Sequence, residues 1–376
     1  MAHEQLRFCE SQQEWFLETI EALVALESPT NDKAAVDRCG ADLAVRLGAI
    51  GGRVQRLPRE AAGDHLLAEF GCGAEQVLLL GHFDTVWPIG EIPLTREGYR
   101  LAGPGVFDMK AGIAIAMLAT RAALEGGAPL NTRIVMLLTS DEETGSETSR
   151  GAIEEEARRS KAVLVLEPAL PGGALKTSRK GCGDFEIEAR GVSAHAGLDP
   201  GRGASAIHEL ARQIVDLERL ADPARGISVN VGVIAGGSRS NVVAERARAH
   251  IDVRAPTRAD ADRIDAAMRQ LTPRIPRVTL RVRGGFDRPP LERTHAVARL
   301  YTLARQVAAE LGRTLDEGSA GGGSDGNFTA ALGVPTLDGL GAIGDGAHAR
   351  HEHVILSELP WRAALVAGLI ARIAGE

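Results

Sequence analysis

Apolar positions recur at intervals of three and four in two stretches near the start of the chain. These are 11–26, through Trp15, Phe16, Ile20, Leu23 and Val24, and 33–48, through Val36, Leu43 and Leu47. That spacing gathers them on one face of a helix, and Gly51-Gly52 closes the second one. The pattern then shortens. Segments 65–70 and 77–81 read as strands, and the run VLLLG in the second suits a strand covered on both faces. An Ala-rich helix is predicted over 110–125, closed by Gly126-Gly127. Buried strands follow over 133–139 and 162–166, with a helix between them near 147–159. Strands alternating with helices predict an α/β fold: a mainly parallel sheet with helices on both faces.

After residue 178 the texture changes. Segment 184–190 alternates polar and apolar, as a sheet with one solvated face does. A helix over 204–220, strands over 227–234 and 246–254, a helix over 258–271 and a strand over 277–283 complete the series, which ends at Gly284-Gly285. This β-α-β-β-α-β order is that of a ferredoxin-like α+β unit with an antiparallel sheet. A helix over 294–311, a Gly-rich loop over 318–326, a strand over 334–338 and a helix over 360–374 then return to the first pattern. The expectation is a discontinuous α/β domain, 1–178 and 287–376, interrupted by an inserted domain at 179–286.

Composition narrows the function. The 376 residues carry 43 Lys and Arg against 50 Asp and Glu, a net charge of −7, with 44% apolar and 25% charged side chains. Such a chain is globular rather than disordered, and an acidic chain without a basic run is no nucleic-acid binder. Its four cysteines form no CxxC pair, which fits free thiols in a reducing compartment. The first residues lack a basic segment followed by an apolar core, and no apolar run nears the roughly 18 residues of a membrane span. A cytoplasmic protein without membrane association is expected.

The candidate chemistry sits just after predicted buried strands, where ligands collect in open α/β sheets. His82 and Asp84 in GHFDTV share a face if the segment is extended, so the carboxylate can orient a metal-binding imidazole. An Asp-Thr turn with a surface His explains the hexapeptide equally well. Asp108 precedes a helix and is explained most simply as its N-cap. Asp141, Glu142 and Glu143 are consecutive acids at a strand end, which a divalent cation would reconcile, although a solvated acidic loop is common. Glu167 follows another strand, and His348, His351 and His353 cluster near the end. Mixed imidazole and carboxylate donors suit zinc, cobalt or manganese. The GGGSD run lacks the Lys of a phosphate loop, and no G-x-S-x-G elbow marks a serine hydrolase.

In their order these segments resemble the M20 family of metallopeptidases, particularly its glutamate carboxypeptidase-like branch, which is related to acetylornithine deacetylase and succinyl-diaminopimelate desuccinylase. The matching pieces are GHFDTV (81–86), GPGVFDMKAG (103–112), SDEETGS (140–146), LEP (166–168), GVSAHAG (191–197), SNVV (240–243), DVRAP (252–256), GGGSD (321–325) and GDGAH (344–348). The resemblance implies a catalytic domain interrupted by a lid and dimerisation domain, a homodimer, and two divalent metal ions, zinc first with cobalt or manganese as alternatives. His82 and Glu167 would bind one ion, Glu143 and His348 the other, and Asp108 both. Asp84 would orient His82, and the peptide after Asp108 would be cis. Glu142 would be the general base, and His195 would reach in from the partner subunit to support the carbonyl oxygen. Arg254, with Asn241 of the preceding strand, would hold the free carboxylate of the substrate. The activity so implied is hydrolysis of the amide bond of an N-acyl amino acid or short peptide-like substrate, releasing a residue such as glutamate with a free carboxylate. The alternative is an N-acetyl or N-succinyl amino acid deacylase.

Overall fold

The structure, a computed structural model, describes residues 2–125 and 132–375. It divides into two compact units, one of Met1–Ser178, Arg293–Ala320 and Ser324–Glu376, the other of Arg179–Glu292 and Gly321–Gly323.

In the first unit, the strand Glu75–His82 lies between Thr132–Thr139 and Ser160–Val165 and runs parallel to both. Thr336–Leu337 extends the sheet in parallel on one side, while His65–Phe70 and Arg53–Leu57 extend it antiparallel on the other. Successive residues of VLLLG point to opposite faces. Val77 and Leu79 join a core with the helices Ala111–Glu125 and Leu359–Ala374, and Leu78 and Leu80 join another with Ile153, Ala157 and Phe328. All four side chains are fully buried, each contributing roughly 1.5–3 kcal/mol. Burial on both faces is why this strand reads as an unbroken apolar run.

The two early helices span Gln13–Ala25 and Lys33–Ala49, the latter capped by Asp32, whose side chain accepts the Ala35 N–H at 3.0 Å. A further helix, Ala2–Ser11, escapes the apolar pattern because it buries Ala2, Gln5 and Cys9 rather than large hydrophobic side chains. The strand Arg53–Leu57 escapes it too, being largely exposed at the sheet edge. The Gly126-Gly127 stop expected for the helix Ala111–Glu125 lies outside the described residues.

The second unit has its own core and the β-α-β-β-α-β order. Its elements are Gly181–Arg190, the helix Ala206–Glu218, Ser228–Gly236, Arg246–Ala255, the helix Arg258–Arg269 and Thr279–Arg288. The sheet is antiparallel, with Ser228–Gly236 and Thr279–Arg288 as its edges. Phe185, Ile187 and Ala189 alternate inward as the pattern predicts. The last strand does not stop at Gly284-Gly285. It runs through both, and Gly284 takes φ +84 against the Asp184 carbonyl, a fit that needs glycine. Among the described residues no helix is long and apolar enough to cross a membrane.

Candidate metal centre

Three parallel strands of the first unit end together. His82 pairs in register with Thr139, and Leu80 with Val165. The residues just beyond therefore emerge side by side, at the carboxyl edge where open α/β sheets bind ligands. His82 closes one strand, Asp141–Glu143 follow the second and Glu167 follows the third. The turn Val106–Lys110 adds Asp108. A loop between the short strands Gly344–Asp345 and His353–Ile355 adds His348.

Asp108 is the hub. Its Oδ1 lies 3.2 Å from His82 Nε2, and its Oδ2 lies 3.5 Å from His348 Nε2. His82 Nε2 is also 3.6 Å from Glu167 Oε1, and His348 Nε2 is 3.0 Å from Glu143 Oε2. Donor atoms of His82, Asp108 and Glu143 fall within 4.8 Å of one another. Asp108 is not the helix cap that its position suggested. Its backbone is non-helical, at φ −115 and ψ 92, the helix begins at Ala111, and the Asp108–Met109 peptide is cis. Of the three clustered imidazoles, His348 is the one facing these acids. His351 lies 3.8 Å from Asp345, and His353 Nδ1 contacts the His351 carbonyl.

Asp84 is fully buried and organises the pocket from beneath. His82 Nδ1 sits 3.3 Å from its Oδ1, and the hydroxyl of Thr30 donates to Oδ2 at 2.8 Å. The backbone N–H groups of Glu142 and Glu143 donate to Oδ1 and Oδ2 at 3.3 and 3.2 Å. One carboxylate thus orients His82 and the turn that carries both glutamates. The three consecutive acids part company: Asp141 accepts the Thr148 N–H and hydroxyl, each at 2.7 Å, while Glu143 faces His348. Asp325 of GGGSD accepts from the Thr139 hydroxyl at 3.0 Å and from that of Ser146. Asp325 therefore props the acid loop.

Charge is concentrated here. Burial works against a charged His82, yet Asp108, Asp84 and Glu167 hold its pKa well above the ordinary imidazole value. His348 is raised to about 9, first by its hydrogen bond to Glu143. Burial pushes Glu143 up, and His348 pulls it back. Burial also pushes Asp84 up, but His82 and Thr30 outweigh it and hold the carboxyl low.

In the second unit, Nδ1 of His195 accepts the backbone N–H groups of Gly197 (3.1 Å) and Leu198 (3.0 Å). With Nδ1 accepting, Nε2 is the ring nitrogen left to donate. Arg254 makes a two-pronged pair with Asp252, at 3.0 and 2.7 Å, and its remaining nitrogen meets Cys182. Asn241 is not on a strand. The strand Ser228–Gly236 ends before it, Gly237 turns at φ +71, and the exposed Asn241 sits in the loop leading to Arg246–Ala255.

The sequence pattern passes over Thr30, and it offers Lys176 only as one of three basic residues, with Arg179 and Lys180, for a substrate side-chain carboxylate. Thr30 reaches Asp84 across 54 residues, and Lys176 lies 3.9 Å from Glu167 on a separate strand. Neither has a local signature.

The donor set fits a divalent cation. Three carboxylates and two imidazoles, with no thiolate, match zinc, manganese or cobalt. Acids this close need compensation, which protons on the two imidazoles supply in the metal-free protein and a cation would supply better. Fold and donor set together define a metal-dependent hydrolase. The sequence pattern of Peptidase family M20/M25/M40 matches residues 78–372. Carboxypeptidase G2 of Pseudomonas sp. (strain RS-16) is 30% identical over 94% of this chain and 88% of its own. Succinyl-diaminopimelate desuccinylase of Stenotrophomonas maltophilia (strain R551-3) is 28% identical over 93% and 97%. The crystal structure of aminopeptidase PepT from Bacillus cereus ATCC 10987 shares the fold, with a TM-score of 0.78 at 23% identity over 96% of this chain and 99% of that one. The chain belongs to Peptidase family M20/M25/M40 and is a metal-dependent peptidase or amidohydrolase.

Proposed function

We propose that this protein is a dinuclear zinc-dependent hydrolase that cleaves the amide bond of an N-acyl amino acid or short peptide-like substrate, releasing a residue with a free carboxylate. The observation that carries the reading is the two-sided Asp108 carboxylate, with His82 and Glu167 on one side and Glu143 and His348 on the other. In this reading His82 and Glu167 hold one ion, Glu143 and His348 the second, and Asp108 both, with cobalt or manganese able to replace zinc. The ions, when bound, supply a water of lowered pKa and polarise the scissile carbonyl.

The protein does the rest. Glu142, its backbone pinned by Asp84, takes the proton of the attacking water and returns it to the leaving nitrogen. Asp84 keeps His82 oriented. His195 offers its Nε2–H to the carbonyl oxygen as charge builds there, and we assign it to the partner subunit of a homodimer formed through Arg179–Glu292 as the lid domain. The edge strand Ser228–Gly236, with Val233 and Ile234 55% and 56% exposed, supports such pairing. Arg254, with Asn241, holds the substrate carboxylate. Asp252 pairs with one side of its guanidinium and Cys182 meets the remaining nitrogen, so that nitrogen would exchange the thiol for the ligand carboxylate. The free thiols Cys9, Cys39, Cys72 and Cys182 support a cytoplasmic setting.

A second reading is an N-acetyl or N-succinyl amino acid deacylase. The similarity to a succinyl-diaminopimelate desuccinylase over nearly the whole chain favours it. The test is a screen of N-acyl amino acids, with acyl size and released residue varied separately, on protein reconstituted with zinc. Release of an amino acid that stops with chelator and returns with metal is expected. Hydrolysis indifferent to chelator would refute the proposal.

A further inference from the structure

Glu352 lies four residues beyond His348 and has no exposed surface. Its Oε1 accepts the backbone N–H groups of Phe107 (2.9 Å) and Asp108 (3.0 Å). Its Oε2 accepts the backbone N–H of Gly105 (3.0 Å) and the indole N–H of Trp87 (2.8 Å). All four partners are donors, so both oxygens must accept, which a carboxylate can do and an amide cannot.

The same side chain joins two remote segments. The strand His353–Ile355 pairs with Arg100–Ala102, just ahead of the Gly105–Asp108 turn that Glu352 braces. His348 stands in the loop before it at φ +59, a backbone state that non-glycine residues seldom adopt. Gly346 turns the same loop at φ +87, where a Cβ would run into the backbone of Glu352. The loop is thus closed around Glu352, and Glu352 is anchored on the backbone of Asp108. By contrast, His82 closes the strand Glu75–His82, and Glu167 follows the strand Ser160–Val165.

We propose that Glu352 is a positioning residue for one half of the metal centre: by locking the Gly105–Asp108 turn to the His348 loop, it holds His348 against Asp108 and Glu143. This inference rests on the metal-centre reading above. It goes beyond that reading in predicting an asymmetry. A side chain that served only the fold would weaken both halves alike.

The test titrates the metal-free full-length protein with Co²⁺ alone, followed by calorimetry and visible absorption. Wild type should show two binding steps, assigned by their loss in His82→Ala and His348→Ala. In Glu352→Gln the His348 step should weaken about 10–100-fold, the usual effect of losing an outer partner of a ligand, while the His82 step, which shares Asp108 but keeps its two strand-end ligands, should weaken markedly less. Equal weakening of both steps, or no change in either, would overturn the proposal. Should Glu352→Gln fail to fold, Trp87→Phe removes one donor and should give a smaller loss that is again larger at the His348 step; no loss there overturns the proposal equally. A wild-type protein that takes up no pair of ions would instead overturn the metal-centre reading.

Discussion

Nε2 of His348 stands 3.0 Å from Oε2 of Glu143, two residues 205 positions apart in the chain. The contact raises His348 to about 9, and the acids around His82 raise that group as well. In the metal-free protein the stabilisation from this pair is complete below about pH 6.5, the free imidazole value, and is lost as pH rises through about 9. Metal needs the neutral rings, so its affinity should climb with pH over the same window. Zinc calorimetry at pH 7 in two buffers of different ionisation enthalpy should show net proton release, fading above about pH 9. Heats that do not depend on the buffer would contradict the arrangement.

Glu142 and Glu143 share one turn and one anchor, Asp84, yet are assigned different work. Replacing Glu142 by Gln should lower kcat about 10²–10⁴-fold, the usual contribution of a positioned acid–base group. Metal content, measured by atomic absorption, should not change. Undiminished turnover would remove Glu142 from the role of base.

Arg254 is held by Asp252 and projects its remaining nitrogen toward Cys182. A hydrogen bond to a charged group contributes about 1.5–3 kcal/mol, so Arg254→Ala should lower kcat/KM about 10–100-fold. Amidating the substrate carboxylate should produce a similar loss in wild type and little further loss in the variant. Fully additive losses would show that Arg254 does not read that carboxylate.

Two helical glycines should respond oppositely to alanine. At Gly48 a Cβ meets nothing within 4 Å, so Gly48→Ala should gain up to about 1 kcal/mol from helix propensity. At Gly112 a Cβ would collide with the carbonyl oxygen of Leu166, the residue before Glu167. Gly112→Ala should therefore cost about 1–3 kcal/mol. Urea denaturation midpoints measure both, and a stabilised Gly112→Ala would mean that the helix can move away from the sheet.

Legibility in the sequence followed burial. VLLLG announced the central strand because every one of its side chains meets a core, and DFEIEAR announced a half-solvated one because only alternate side chains do. The helix Ala2–Ser11 and the edge strand Arg53–Leu57 were not announced, since what they bury is small or slight. Asn241 was expected on a strand, but Gly236-Gly237 ended the strand first. Asp108 looked like a helix cap because a cap and a ligand occupy the same place before a helix; the carboxylate between His82 and His348 distinguishes them.

Periodicity along the chain was enough for the well-buried helices and strands and for their division into an α/β and an α+β pattern, because burial repeats with the local geometry of each element. Recurring motifs were enough for the family. The GDGAH motif also singled out His348 among three imidazoles, but which acid accepts from the backbone beneath Asp108 depended on chain segments hundreds of residues apart arriving at one place. Glu352 differs from its neighbours only in what surrounds it, and backbone N–H groups, which leave no mark in the sequence, supply most of those surroundings.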